Sequence, residues 1–372
     1  MQVSLLTCSP HEEIYSLYGH TAVRVLDLHQ VDDPRQRYDV VFNYGVFNFR
    51  APYFVARFVF GKTDYELGKF PTQPFLAYYK RFGSRVSEQV LNLSRIEKAR
   101  LIAALEENYQ PENRIYRYNI FYDNCSTRPR DIIERSVEGM IQYQPVVQND
   151  SWRSLVNDKT YRHPWATFGN NMLLGLRADT RPTQREREFL PEWLMEDFAQ
   201  AQIVNLQGQT RPLVQTEQTL VPQGTQVVQE DFFITPRQVA WLLLVFTMVC
   251  CLWQLCLRRA PVAVRGFDAL LLTVMGLMGV TLCVMLFSDH PFTSLNLLLI
   301  TFNPLLFCAV PAAVRGCESR WWVVCAVLMV AGAPCQMFQD MPGLARVMAL
   351  CLLLRAMCNL LCGARWRHAE MS

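Results

Sequence analysis

Polar and apolar residues alternate along HTAVRVL (20–26), with Thr21, Val23 and Val25 on one side and Ala22, Arg24 and Leu26 on the other. Period-two alternation predicts a β-strand. QVSLLTC (2–8), RYDVVFNYGVFNF (37–49) and KTDYELGKF (62–70) are further strands by the same reading. VDDPRQ (31–36) reads as a turn, so 20–26 and 37–49 form a hairpin. The period changes in LSRIEKARLIAALEENY (93–109), which predicts a helix. Ser94 and Glu97 make a capping box there, and Ile96, Ala99, Leu101, Ala103 and Leu105 supply much of the apolar face. IYRYNIFYDNC (115–125) reads as a strand, and RDIIERSVEG (130–139) as a short helix ended by Gly139. A helix is expected over 184–200, and two strands with a Gly-Gln turn over 203–222.

Near Pro236 the pattern changes again. Five apolar stretches follow, at about 238–257, 267–287, 294–314, 320–335 and 343–362, each close to the length of roughly 20 residues that crosses a bilayer. The reading is therefore an α+β extracytoplasmic domain over 1–235, its β-rich segment near 201–228 included, and an all-α transmembrane domain of five helices over 236–372. Arg258, Arg259 and Arg265 lie in or beside the first loop, Arg315 and Arg320 in or beside the third, and Arg365, Arg367 and His368 in the tail. The second and fourth loops, SDHPFT and PCQMFQDMPG, carry no Lys or Arg. The positive-inside rule then puts the first and third loops and the C-terminus in the cytoplasm, and the N-terminal domain outside it. MQVSLLTCSP has neither a basic nor an apolar export region, so the expectation is that a signal peptide precedes this sequence. Export of the long tail by the first span is the alternative.

Composition adds the chemistry. Of 13 cysteines only Cys8 and Cys125 precede Pro236, which argues against a disulfide-rich scaffold. No Gly-rich phosphate loop, HExxH helix or CxxC pair is present, so no metal and no cofactor are expected. A net charge of +3 is too mild to point to a partner, and no nucleic acid is expected. Cys125 stands where a strand runs into a helix. Unpaired N–H groups and the positive helix end would lower its pKa from about 8.5, and the same groups, with Asn124 and Ser126 in the turn, could support an oxyanion. Pro129 has no N–H to give, so the regular helix is expected to begin near it. A thiol nucleophile needs an imidazole, and His20 opens a strand after a glycine. Across the hairpin from His20 lie Asn43 or Tyr44; Asn43 is preferred because its amide oxygen can accept from the ring, with Asp39 the fallback.

The order of histidine strand, neighbouring strand with the third group, then cysteine before a helix resembles circularly permuted papain-like proteins of the NlpC/P60 and lecithin:retinol acyltransferase type. SLLTCSP…YSLYGHTAVRV, FNYGVFNF and YDNCSTRPRDII, followed by five spans, resemble more closely the bacterial lipoprotein N-acyltransferase family called Lnb, over essentially the whole chain. Two departures are the missing signal peptide and Pro129. The resemblance implies a multi-pass protein of the bacterial cytoplasmic membrane that moves a fatty acyl chain from a phospholipid donor to the α-amine of a diacylated lipoprotein. Cys125 would carry the thioester, His20 would move the proton and Asn43 would orient His20.

Other readings compete. Cys125 and Cys8 could pair as a disulfide, or Cys8 could be a second thiol or a small buried side chain. The same Cys/His pair could serve an envelope thiol peptidase or amidase, or be vestigial in a membrane scaffold. In the apolar half, Arg355 could bind a lipid head group or snorkel toward the cytoplasmic face. Asn303, before Pro304, could mark a lipid-binding kink or a packed bend.

Overall fold

The computed structural model describes residues 1–11, 13, 16–29, 38–48, 50–226, 232–317 and 319–370, with the backbone alone at 55 and 363–370. The expected turn at 31–36 and the side chains of the basic tail lie outside the described residues. In chain order come β1 (Gln2–Cys8), β2 (His20–Leu26), β3 (Asp39–Val46), α1 (Phe54–Val59), β4 (Asp64–Pro71), α2 (Thr72–Arg81) and β5 (Val86–Leu91). Then follow α3 (Arg95–Tyr109), β6 (Ile115–Arg117), α4 (Thr127–Ser136), β7 (Met140–Gln142), α5 (Trp152–Thr160) and α6 (Pro164–Leu173). Next are α7 (Gln184–Arg187), α8 (Pro191–Gln200), β8 (Gln202–Val204), β9 (Thr210–Pro212) and β10 (Val214–Val221). The apolar half holds α9 (Pro236–Leu257), α10 (Val262–Met285), α11 (Leu298–Thr301), α12 (Val310–Arg315), α13 (Arg320–Gly332) and α14 (Gly343–Glu370).

Two compact units form: Met1–Asn149 with Pro182–Gln229, and Asp150–Arg181 with Glu230–Ser372. A single cut at 235/236 therefore does not divide the chain, because 150–181 packs with the apolar helices.

The first unit is built on a seven-stranded antiparallel sheet in the order β10-β5-β1-β2-β3-β4-β6. Val3, Leu5, Val23, Val25 and Phe42 share a core with Leu101 and Leu105 of α3, Ile132 and Ile133 of α4, and Phe198 of α8. Leu6, Cys8, Ala22 and Val41 pack instead with Phe75 and Tyr79 of α2. With both faces covered, even Arg24 is buried, and it is held by Asp39 (2.7 Å) and Glu88 (3.0 Å). Asp39 is thus committed to Arg24 and to Thr72 (2.6 Å), which removes it as the fallback partner of His20.

Several expected elements change. The capping box of α3 forms, but its buried stripe is Glu97, Leu101 and Leu105, while Ile96, Ala99 and Ala103 face out. Positions four apart lie on one line down a helix. Buried Glu97 accepts the Ser94 and Glu138 N–H groups and pairs with Arg211, which makes burying it tolerable. The strand expected over 115–125 stops at Arg117, because Asn119 and Asp123 exchange backbone bonds (3.0 and 2.9 Å) and close a turn. The helix expected over 184–200 is broken before Pro191, which opens α8. Three strands rather than two occupy 202–221.

In the second unit the five expected spans are present, as Pro236–Leu257, Val262–Met285, Leu298–Arg315, Arg320–Met337 and Gly343–Cys362. The third is not a continuous helix. Asn303 accepts the Leu305 N–H (3.0 Å) and donates to Leu299 O (3.1 Å), so it caps a new turn opened by Pro304. Asn303 therefore belongs to a packed bend, and both ends of its amide are used within the chain. The second span begins at Val262, earlier than expected, and Asp268 lies in its first half. Arg355 does not snorkel. It is fully buried, pairs with Asp268 (2.7 and 3.0 Å) and bonds Gln254. Asn359 joins Asp268 (2.9 Å) and Gln254 (2.9 Å), closing a polar network across α9, α10 and α14. With its guanidinium occupied, Arg355 has no lipid-facing role.

Helices α5 and α6 sit on the loops between spans. Gly175 N–H donates to Phe292 O (2.7 Å) and Leu176 N–H to Leu295 O (2.7 Å). Asn296 donates to Met172 O (2.8 Å), and Gln339 to Leu174 O (3.3 Å). Buried Arg153 binds this segment together through Asp179 (2.7 and 2.9 Å) and the carbonyls of Asn171, Leu174 and Gly175.

Breaking a buried ion pair on one side leaves an uncompensated charge. Asp268→Ala should lower the stability of the detergent-solubilised chain by about 3–5 kcal/mol, read as a fall in thermal midpoint. Asp268→Leu with Arg355→Met should recover most of the loss. A wild-type midpoint in Asp268→Ala would show that the pair does not hold the helices together.

Candidate active site

Asn124 makes the turn that presents Cys125. Its Oδ1 accepts the N–H groups of Ser126 (2.8 Å) and Thr127 (2.9 Å), capping the first turn of α4. Its amide donates to Ile120 O (2.7 Å) and Phe189 O (2.8 Å). Ser126 Oγ donates to Glu188 O (2.7 Å). Asn124 and Ser126 are therefore turn support: the Asn124 side chain is fully used, and the Ser126 N–H is spent on the cap. The helix starts at Thr127, ahead of Pro129, because proline in a first turn gives up an N–H that has no intrahelical acceptor.

His20 reaches Cys125 from β2. Gly19, just before it, has φ +76°, and a Cβ there would stand 2.9 Å from Cys8 O, so this corner takes glycine. The ladder between β2 and β3 runs from Leu26↔Asp39 to Val23↔Phe42. Pairing of β3 with β4 slips between Asn43 and Val46, a bulge that re-aims its side chains. Within it Gly45 has φ +96°, and a Cβ there would lie 3.5 Å from Cys125 Cβ and 3.8 Å from His20 Cε1. Those are ordinary contact distances, so it is the backbone conformation of the bulge, beside thiol and imidazole, that calls for glycine here. Asn43 Oδ1 then meets His20 Nε2, which leaves Nδ1 for the thiol.

Thiol and imidazole are hydrogen-bonded and shift each other. Burial pulls His20 down, but the Cys125 charge, their mutual hydrogen bond and Asn43 outweigh it, so the imidazole stands above its ordinary value. Burial pushes Cys125 up, and the His20 charge, the same hydrogen bond, the Thr21 N–H and its own N–H more than reverse this. The thiol thus stands below its ordinary value. Both shifts move the pair toward thiolate beside imidazolium, the nucleophilic form.

Both groups are half-buried and line a cavity of about 460 Å³. Its walls are largely aromatic, with Phe47, Tyr65, Phe75, Tyr79, Tyr118 and Phe189 among them. Tyr65 stacks between Phe47 (4.9 Å) and Tyr118 (4.0 Å). Burial, and then the Cys125 charge, push Tyr65 up to about 12 and Tyr118 well above its ordinary range, so both phenols stay protonated. Cys8 pairs with His20 in the sheet register, yet it is a free thiol, as Cys125 is, and no disulfide joins them. Burial pushes the Cys8 thiol well up and the Tyr79 hydroxyl beside it only partly offsets this, which makes Cys8 a buried neutral side chain.

Sequence reasoning missed Gly45, the Thr21 N–H and the ring of Tyr79, which lies parallel to His20 at 6.4 Å. The aromatic density of PFLAYYKRF was a visible signal for the last. Nothing local marks the other two. His11, also in the cavity wall, lies flat on Phe82 (4.5 Å), and burial, with the His20 charge, lowers it to about 4. It is neutral at ordinary pH. Among the described residues no His/Cys/Asp/Glu cluster could hold a metal ion.

Two family models match. One, described as the Lnb N-terminal periplasmic domain, matches residues 1–158, and the other, described as the Lnb transmembrane domain, matches residues 228–365. No curated protein and no solved structure matches at a significant level.

Alkylation reads the pair directly. As pH falls from about 9 to about 6, iodoacetamide labelling of Cys125 should decline less than that of a free thiol, and Cys8 should remain unlabelled. In His20→Ala the counter-charge is gone and burial governs, so the Cys125 pKa rises. Labelling at neutral pH should then drop about tenfold or more. Equal labelling of wild type and variant would remove the ion pair from the account.

Proposed function

The chain belongs to the Lnb family of lipoprotein-modifying membrane proteins, with a periplasmic N-terminal domain, and from that premise we propose that it is an N-acyltransferase working through Cys125. One observation carries the proposal. Cys125, His20 and Asn43 converge on the wall of an aromatic cavity, in a chain that also holds five membrane spans. An apolar cavity suits an acyl chain, and a low-pKa thiol suits attack on an ester.

In this reaction the Cys125 thiolate adds to the ester carbonyl of a phospholipid. Negative charge collects on the carbonyl oxygen beside the N–H groups of Cys125 and Thr21, which face the sulfur. Imidazolium His20 gives its proton to the departing oxygen, releasing lysophospholipid and leaving a thioester on Cys125. The α-amine of a diacylated lipoprotein then adds to the thioester, His20 takes the amine proton, and the amide leaves with the acyl chain as thiolate re-forms. Asn43, bonded to Nε2, keeps the ring turned through both steps. Residues of this chain suffice for each proton transfer.

The proposed orientation places the first and third loops and the C-terminus in the cytoplasm. Besides the charge pattern, it is supported by the α5–α6 segment. That segment continues at both ends into the periplasmic chain, and it binds the second and fourth loops.

With phospholipid present, Cys125 should acquire a hydroxylamine-sensitive acyl group, detectable by mass spectrometry and absent in Cys125→Ser. His20→Ala should slow its formation by about 10²–10⁴-fold. In cells, lipoprotein N-termini should lose their N-acyl chain with Cys125→Ala; N-acylation at the wild-type level in that variant would end the proposal.

A further inference from the structure

Residues 47–62, FNFRAPYFVARFVFGK, contain six aromatic residues and three basic ones, with no Asp or Glu. Those that the structure describes run from the cavity wall to the surface. Phe47 lines the cavity, Phe54 stacks on it at 6.0 Å, and Phe58 stacks on Phe54 at 6.3 Å and is 49 % exposed. Tyr53, at the head of α1, is 84 % exposed and has φ +57°, a backbone state that costs an aromatic residue energy. Phe70 and Tyr78, also in the cavity wall, are exposed as well. Arg50 and Lys62 are exposed beside them, and Arg57 is paired with Asp64. The cavity mouth is thus a rim of exposed rings flanked by cations.

Water alone gives no reason to present such a rim. A phospholipid surface does: aromatic rings favour the head-group region, and cations favour its phosphates. Such a surface is at hand, because the same chain spans a bilayer five times. A protein partner would need no continuity with the cavity, whereas a lipid tail leaving the bilayer would follow the rings inward. We infer that α1 and its flanks, residues 50–62, dock in the phospholipid head-group region, with the Phe58–Phe54–Phe47 stack leading a lipid tail to the cavity. The docking rests on this surface alone; delivery of the tail to Cys125 rests on the acyl-transfer reading.

The test places the photo-cross-linking residue p-benzoylphenylalanine at Tyr53, at Phe58 or, as control, at Leu206. Leu206 is 80 % exposed and lies between β8 and β9 of the same unit. The full chain is reconstituted in vesicles of phosphatidylethanolamine and phosphatidylglycerol and irradiated. Phospholipid adducts at 53 and 58 should exceed those at 206 by about tenfold. Arg50→Glu or Lys62→Glu should cut them by about fivefold each. Adducts at 53 and 58 no more abundant than at 206, or formed with protein instead of lipid, would overturn the inference. Repeating the test in Cys125→Ala separates the two readings. Cross-links that persist there while no thioester forms support docking alone, and a thioester in the parent chain without cross-links would sink docking and leave acyl transfer standing.

Discussion

Beyond Val23↔Phe42 the ladder between β2 and β3 gives way, and Cys125 stands beside Gly45 with its thiol hydrogen-bonded to His20. Two partly buried, opposite charges in contact stabilise each other far more than either would be stabilised in water. Each feature of the neighbourhood serves that contact. The bulge after Asn43 turns an amide oxygen onto the far side of the imidazole. Gly19 lets the chain enter β2 with the histidine already in place. Asn124 caps α4 and fixes the cysteine turn to the carbonyls of Ile120 and Phe189. A side chain at position 45 would have to adopt a backbone state, φ +96°, that favours glycine.

The chain handles buried charge elsewhere by the same rule, that a charge taken out of water must be paired and hydrogen-bonded. Arg24 is shared between Asp39 and Glu88, and Arg187 pairs with Asp197 at 2.6 Å. Arg130 bonds Glu188 at 3.0 Å, behind the cysteine turn. In the membrane half Arg355 and Asp268 pair with each other, and Gln254 and Asn359 bond the pair. Cys125 and His20 differ in being open on one side, to an aromatic cavity.

Residues 150–181 belong with the loops of the apolar unit, although in the sequence they lie between two stretches of the first unit. Their helices are held by specific polar bonds as well as apolar packing, with Arg153 reaching five acceptor groups and Gly175 so close to Leu295 O that a Cβ would stand 2.2 Å away. Such bonds fix register. They hold the second and fourth loops in one arrangement against α5 and α6.

Much was legible in the residues themselves. Alternation gave β1 to β4, the Ser94–Glu97 box gave the start of α3, and apolar length gave five spans. The motifs around His20, Asn43 and Cys125 pointed to thiol chemistry. These are local properties, set by backbone period, side-chain polarity and capping, and they survive without knowledge of neighbours. What the sequence could not decide was which distant groups share a wall. Asn43 rather than Asp39 reaches His20 because a bulge shifts β3 and because Arg24 claims Asp39. Arg355 turns inward because Asp268, on another helix, is there to meet it. Ile96 faces water because Glu97 found Arg211. Each depended on register or packing between segments far apart in the chain, and only the folded sheet and bundle fix those.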